Sequence, residues 1–280
     1  MDAFSPVPLS DDAYRTLSDL VYRHSRIRVG HEKQPMLANR LRRRLTELGL
    51  ASFDDYCDLL RANRDPEEIE HLIDFVSTNH TFFFREEDHF EFLRDRVLPE
   101  FARKLPQRGV PLRLWSAACS TGEEPYTIGI IVSEHLRQHP GLAWQLEASD
   151  ISRRALHRAE TAIYPDEASA QIPADLLKRY FQQGVDSQAG RIRVKRDLRQ
   201  KVRFHRINLF QPDYPVSQDQ HVIFCRNVMI YFDTDSRIEV IRHLTRHLAP
   251  GGYLFVGHSE SLLGIPHDLE SVRHGIYRRP

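Results

Sequence analysis

Residues 112–126 read Leu-Arg-Leu-Trp-Ser-Ala-Ala-Cys-Ser-Thr-Gly-Glu-Glu-Pro-Tyr. An apolar run gives way to small residues with one glycine, and then to two acids and a proline. The run predicts a buried strand, and the spacing of EPYTIGIIVSEHL (124–136) predicts the helix that follows it. Strand, tight turn and helix form the opening unit of an open α/β sheet, where small residues let a ligand approach the backbone. The glycine-rich dinucleotide fingerprint is absent, and no Gly-Lys-Ser/Thr pair is present to cradle phosphates. Glu123 and Glu124 stand where a helix N-terminus would otherwise draw an anion, so a cationic or hydroxyl-bearing ligand suits the turn better. Helix-terminal charge alone explains the same two acids equally well.

Outward from this unit the alternation continues through WQLEASD (144–150), SRRALHRAE (152–160), HVIFCRNV (221–228), SRIEVIRHLTRHL (236–248) and GYLFVGH (252–258). Such alternation predicts a doubly wound parallel sheet with helices on both faces. ESVRHGIY (270–277) is expected to add a last strand at the sheet edge. GRIRVKRDLRQKVRFHRI (190–207) alternates at period two and predicts a small antiparallel insertion. Upstream, from Ser10 to Ser77, apolar residues recur at helical spacing, as in Leu37, Leu41, Leu45 and Leu48. Ser10, Ser52 and Asp65-Pro66 mark helix starts, and four helices are expected. The chain is therefore expected to divide into a helical N-terminal domain (1–80), a linker (81–111) and an α/β domain (112–280) with a β-subdomain at about 185–206.

Two hundred and eighty residues, 41% hydrophobic and 28% charged, exclude disorder for the bulk of the chain. Thirty-nine basic and thirty-nine acidic residues leave no net charge to draw it toward nucleic acid or lipid. Three cysteines without paired spacing argue against a disulfide framework. No leader pattern opens the chain and no run of eighteen apolar residues occurs, so a cytoplasmic protein that neither spans nor inserts into a membrane is expected.

Asp150 ends the strand WQLEASD, 28 residues after Gly122 (150 minus 122). An acid there can accept both hydroxyls of a ribose. Capping the helix that begins at SRRAL is the competing reading. Two acidic strand ends at one switch point favour a nucleoside without phosphates, a description that adenosine joined to a sulfonium amino acid satisfies.

STNHTFFFREEDHF (77–90), LWSAACSTGEEPYTIGI (114–130), ASDISRRALHRAETAIY (148–164), FCRNVMIYF (224–232) and LAPGGYLFVGHSE (248–260) together resemble the chemotaxis receptor methyltransferases, the CheR family. The resemblance extends over nearly the whole chain. It implies a class I S-adenosylmethionine-dependent methyltransferase fold, and transfer of methyl groups from S-adenosylmethionine to glutamates of chemoreceptors, with S-adenosylhomocysteine as product. By motif it implies cofactor contacts from Asn79, Thr81, Arg85, Glu124, Asp150, Asn208, Leu209, Arg226 and Asn227, with Glu123 a neighbour of Glu124. Arg85 and Tyr231 become the catalytic candidates. A carboxylate is already ionised at pH 7, so its attack on a sulfonium methyl needs no base. Arg85 is expected to clamp it with its planar fork, and Tyr231 to position it through its hydroxyl. An ion pair of Arg85 with Glu86 or Glu87, and plain packing of Tyr231, are the structural alternatives. The family often opens the strand before IFCRN with an acid, where this chain has Gln220-His221-Val222.

Two basic regions are expected to meet partners. Arg15, Arg23, Arg26, Arg28, Lys33, Arg40, Arg42, Arg43 and Arg44 face only Asp19 and Glu32, whereas Glu47–Asp74 carries nine acids against Arg61 and Arg64. Arg40, Arg43 and Arg44 share a helical face opposite the leucines and are expected to be free for the glutamate-rich receptor helices. In the insertion, Arg193 and Lys195 are expected to serve a receptor C-terminal peptide added as a strand. A monomer is expected. A cofactor-binding sensor and an RNA methyltransferase are the competing functions, although interleaved exposed aromatics are lacking. His243 and His247 lie four apart after Glu239 without a HExxH pattern or a distant third ligand, so no metal is expected.

Overall fold

The computed structural model describes Pro8–Ala62 and Asp65–Pro280. Residues 1–7, on which the expected absence of a leader rests, and Arg64 lie outside them. The chain forms two compact units, Met1–Thr78 with Tyr231–Ser236, and Asn79–Ile230 with Arg237–Pro280.

The first unit contains α1 (Asp11–Ser25), α2 (Gln34–Leu48), α3 (Phe53–Ala62) and α4 (Pro66–Val76). Their starts follow the local chemistry. Ser10 Oγ accepts the Ala13 N–H at 3.1 Å, Ser52 Oγ that of Asp55 at 3.1 Å, and Asp65 Oδ1 that of Glu67 at 2.9 Å, each satisfying a donor the first helical turn leaves unpaired. Gly49, at φ +67°, ends α2. Leu37, Leu41 and Leu45 are buried, as are Leu17 and Val21 of α1 and Leu72 of α4. The unit also takes in the Tyr231–Ser236 segment. Asp233 Oδ2 accepts the Tyr22 hydroxyl at 2.5 Å and Arg28 Nε at 3.3 Å, while Arg28 N donates to the Tyr231 carbonyl at 3.1 Å.

The basic face of α2 departs from expectation. Arg44 grips Glu68, which is 1% exposed, through Nε–Oε1 at 3.0 Å and Nη2–Oε2 at 2.5 Å, and the Tyr56 hydroxyl donates to the same carboxylate at 2.7 Å. Burial pushes the Glu68 pKa up, but these partners outweigh it and hold the group below the usual range. Arg40 donates to the carbonyls of Phe75 and Ser77 at 2.8 and 3.3 Å, where α4 ends. Both arginines are thus occupied inside the unit, because α4 supplies a carboxylate and open carbonyls that charge counting along α2 does not reveal. Arg43 remains outside, 84% exposed, paired with Glu47.

In the second unit β1 (Leu112–Ala117), β2 (Trp144–Asp150), β6 (Val202–Arg206), β7 (Gln220–Cys225) and β8 (Leu248–Val256) run parallel, and β10 (Ile276–Arg278) and β9 (Glu270–Arg273) close one edge antiparallel. The order is β6-β2-β1-β7-β8-β10-β9. Helix α7 (Glu123–Gln138) leads from β1 to β2, α8 (Arg153–Thr161) follows β2, and α11 (Thr234–His247) precedes β8. Because the chain winds outward both ways from the β1–β7 pair, a crevice opens at the carboxyl ends of those two strands. β7, which starts at Gln220, is buried throughout its length.

Two boundaries need correction. Residues 81–111 are not a linker. Phe83, Phe90, Leu93, Val97, Leu98, Phe101 and Leu105 are buried in the core of the second unit. Phe90, Leu93, Val97, Leu98 and Phe101 ride on one helical stretch made of α5 (Glu87–Phe92), a π turn (Leu93–Val97) and α6 (Leu98–Lys104), with Phe83 before it and Leu105 just after. Leu98 N reaches back to the Leu93 carbonyl, a wide turn that suits Pro99, which cannot donate and would crowd an α-helical carbonyl.

The small antiparallel sheet is also not confined to 185–206. It is built in the order β3 (Ile163–Pro165), β5 (Arg191–Val194), β4 (Phe181–Gln183), and Val202–Arg206 belongs to the main sheet as β6. Period-two alternation reports strand conformation and not the partner. Between the two strands α10 (Arg196–Arg199) buries Leu198 against Gly129 of α7 and redirects the chain. β5 is the central strand, so Arg193 is not on an edge, and Lys195 lies just past the strand's end. They donate to the carbonyls of Thr161 and Lys178 at 3.2 and 2.8 Å. α9 (Ala174–Tyr180) leads into β4.

Arg44→Ala strands a buried carboxylate and should cost about 3 kcal/mol. Arg44→Lys should recover only part, since an ammonium cannot form the two-pronged contact, while Arg43→Ala should stay within about 0.5 kcal/mol of wild type. Urea unfolding of the three variants checks the order.

Candidate active site

The turn from β1 into α7 bends through three left-handed residues, Ala118, Ser120 and Gly122, at φ +65°, +51° and +98°. Two of them have side chains, and such backbone persists only where its surroundings enforce it. Cys119 N donates to the Ser149 carbonyl at 2.8 Å, and Ser120 N to Asp150 Oδ2 at 2.8 Å. The Tyr164 hydroxyl donates to the Thr121 carbonyl at 2.9 Å. At Gly122 a Cβ would lie 2.8 Å from the Ala159 Cβ and 2.9 Å from the Tyr164 hydroxyl, so any side chain here meets a wall as well as a strained φ.

Asp150 is brought to this turn as expected, and it is not the helix cap. Ser152 caps α8, accepting the Ala155 N–H at 3.1 Å, while Asp150 Oδ1 accepts the Ser152 N–H at 2.9 Å. Asn79 joins the group. Its carbonyl accepts from Ser120 Oγ at 3.2 Å, and its amide reaches Ser152 Oγ at 3.4 Å. Beside Asp150 the chain leaves β6 through Ile207, whose N–H donates to the Asp150 carbonyl at 3.0 Å. Asn208 then forms a turn by accepting the Phe210 N–H at 3.1 Å. Leu209 is buried, with its carbonyl accepting the Tyr214 hydroxyl at 2.5 Å.

At the end of β7 stands Arg226, its side chain 1% exposed. Its Nη2 lies 2.9 Å from Glu86 Oε2, its Nη1 lies 3.2 Å from Glu124 Oε2, and it donates to the Arg85 carbonyl at 2.5 Å. Asn227, itself left-handed at φ +59°, donates its side-chain amide to Glu86 Oε1 at 3.0 Å and its backbone N–H to Glu260 Oε2 at 2.6 Å. The Arg226 guanidinium is therefore committed to the protein. It braces Glu124 and the Arg85 backbone.

Glu124 also accepts the Ser116 hydroxyl at 2.7 Å. Burial raises its pKa, and Arg226 partly offsets that rise. Glu123 turns aside to the Thr121 hydroxyl at 2.6 Å, with burial again pushing its pKa up. In Glu86 burial works the same way but loses to Arg226 and Asn227, which hold the carboxyl at about 2. Arg85 makes no use of Glu86. It donates to the His80 carbonyl at 2.9 Å and lies over the Phe82 ring at 5.8 Å, which leaves donors of its fork for another acceptor. Thr81 is half-buried in the same segment. Tyr231 belongs to the helical unit, where Lys33 Nζ stands 5.2 Å from its ring centroid.

Sequence reading missed Glu86, Ser116 and Glu260. Glu86 entered only as a possible partner of Arg85, and nothing in a linear motif says that an arginine 140 residues later takes it instead. Glu260, whose carboxylate accepts the N–H groups of Asn227, Gly257 and Ile230, stood in a quoted motif without a role.

Residues 79–277 match the model of the CheR methyltransferase SAM-binding domain, and residues 12–77 that of the CheR all-alpha domain. The chain belongs to the CheR family. It is 41% identical to the chemotaxis protein methyltransferase of Escherichia coli over 253 residues, covering 90% of this chain and 85% of that one. With chemotaxis protein methyltransferase 2 of Pseudomonas aeruginosa it shares 39% identity, covering 94% and 91%, and with the Borreliella burgdorferi protein 34%, covering 98% and 96%. The cofactor of this CheR protein is S-adenosylmethionine. The donor set fits that choice, because carboxylates of Asp150 and Glu124 at the switch point suit ribose hydroxyls and a cationic amino acid, and would repel a phosphate. No helix among the described residues is long and apolar enough to cross a membrane.

Glu86 gives the fold a pH signature. A carboxyl lowered to about 2 contributes stability that is complete above its unfolded value near 4.3 and is lost as pH falls toward 2. Glu86→Gln should thus be less stable than wild type by about 3 kcal/mol at pH 6, with the gap narrowing steadily by pH 3. Denaturant unfolding across that range tests it.

Proposed function

We propose that this protein is the receptor methyltransferase of a chemotaxis system, acting in the cytoplasm as a monomer. It moves methyl groups from S-adenosylmethionine to glutamate side chains of chemoreceptors, giving methyl esters and S-adenosylhomocysteine. The observation that carries this reading is the half-buried Glu124 at the head of α7, braced by Arg226 within a CheR SAM-binding domain.

Asp150 would hold the ribose, Asn208 and Leu209 the adenine side, and Glu124 the cationic amino group, with Asn79 and Thr81 bordering the methionine portion. Arg226 and Asn227 fix the frame around them. The cofactor supplies a methyl carbon on a positively charged sulfur. A glutamate acceptor is ionised at pH 7, so the site needs no general base. What the protein must provide is orientation and removal of water. Arg85, anchored at His80 and Phe82, offers a planar fork to a carboxylate. The Tyr231 hydroxyl would add a second contact. Arg43 is the exposed arginine of α2 suited to acidic receptor helices. A receptor C-terminal peptide would pair with β3 or β4, the edges of the small sheet, alongside the exposed Arg193 of β5.

Membranes bearing chemoreceptors should accept label from S-adenosylmethionine and release it as methanol in mild base. Arg85→Ala should cut kcat/KM by about 10²-fold. Asp150→Asn should weaken cofactor binding about 10-fold or more, measured by calorimetry. Base-stable label would overturn the glutamate acceptor, and cofactor binding with no transfer would leave a sensor.

A further inference from the structure

Beside the Arg226 frame the helical start at Glu86–His89 meets the loop after β8. One oxygen of Glu86 and one ring nitrogen each of His89 and His258 lie within 4.8 Å of one another. Glu86 Oε2 and His89 Nδ1 are 3.5 Å apart. Two ligands of a tetrahedral zinc ion, each at 2.0–2.1 Å from it, stand about 3.3 Å apart. Asp88 Oδ1 lies 2.9 Å from His258 Nε2 and is placed to add a fourth oxygen.

His89 separates this cluster from an ordinary surface group of acids and imidazoles. It is 0% exposed, and neither ring nitrogen has a hydrogen-bond partner. An orphaned buried polar group is costly, and proteins rarely keep one without use. Its Nε2 is closed off by Gly275, where a Cβ would lie 2.9 Å away, so Nδ1 is the nitrogen turned to Glu86. His258, 41% exposed, opens the cluster to solvent.

We propose that Glu86, His89 and His258, with Asp88, form a site for a borderline divalent transition metal, zinc foremost, and that the ion competes with Arg226 for Glu86. Two imidazoles with carboxylate oxygens select zinc, copper or nickel over magnesium or calcium. The contested atom is Glu86 Oε2, which Arg226 Nη2 holds at 2.9 Å and the His258 N–H at 3.3 Å. An ion there takes the charge that anchors Arg226, and Arg226 in turn anchors Glu124. Zinc therefore inhibits. The inhibition rests on the methyl transfer proposed above, and the binding does not.

The test titrates metal-free full-length protein with zinc against a chromogenic chelator at pH 7.5. Wild type should take up one ion in the micromolar range, and His258→Ala should bind about 10-fold to 100-fold more weakly. Cobalt(II) should give the intense visible absorption of a four-coordinate site in wild type and lose it in His258→Ala. The three cysteines are buried and do not compete. Absence of binding, or binding unchanged in His258→Ala, overturns the site. Zinc should also inhibit transfer by wild type, reversibly with chelator, and spare His258→Ala, which keeps its metal-free activity and its unfolding midpoint. Binding without inhibition overturns the competition with Arg226. Tight binding by a protein that transfers no methyl group would sink the enzymatic reading alone.

Discussion

A guanidinium with 1% of its side chain exposed cannot stand without anions, because moving a lone charge out of water costs several kcal/mol even after relaxation. Arg226 meets that demand with Glu86 and Glu124, which come from segments separated by a helical stretch, a strand and a turn, and with the Arg85 carbonyl. The end of β7, the head of α7 and the segment before α5 are thereby tied at one point. None of the three could adopt its backbone path independently, as the left-handed Phe84, Glu86 and Asn227 indicate. Conformations that cost an isolated chain free energy are kept here by a charge that has nowhere else to go.

The same demand sets the electrostatic character of the crevice. The buried cation Arg226 is spent on the frame, while the carboxyl groups of Asp150 and Glu124 stand at the end of β2 and the head of α7, on either side of the strained turn. Glu260 extends this pattern by collecting three backbone N–H groups behind Asn227. A frame that absorbs positive charge and presents negative charge matches a cationic cofactor, and under the proposed reading the acceptor carboxylate would be met by Arg85, whose fork is not closed on Glu86.

What could be read in the sequence was what local chemistry determines. The leucine ladder of α2 and the capping side chains at Ser10, Ser52 and Asp65 declare helices within a few residues. The small residues after β1, and Asp150 at the end of β2, declare a crevice because strand order in such sheets leaves few other places for them. Partnership was illegible wherever it is settled at long range. Arg40 and Arg44 looked free on α2 because their acceptors lie on α4. Phe83 to Leu105 looked like a connector because its apolar face needs the sheet before it becomes a core. Two stretches of alternating residues looked like one ribbon because alternation carries no record of which sheet a strand joins.

The Tyr231–Ser236 segment is separated by more than 150 residues from the helices with which it forms a unit. Asp233 is bonded by Tyr22 and Arg28, and the Tyr231 carbonyl by Arg28, so the helical unit is discontinuous along the gene. Recombination at residue 79 would therefore not exchange an intact module: the incoming helices would have to accept a loop encoded far downstream. Inheritance of the two parts is coupled at that loop, and drift in the pairing of Tyr22, Arg28 and Asp233 has to be matched on both sides.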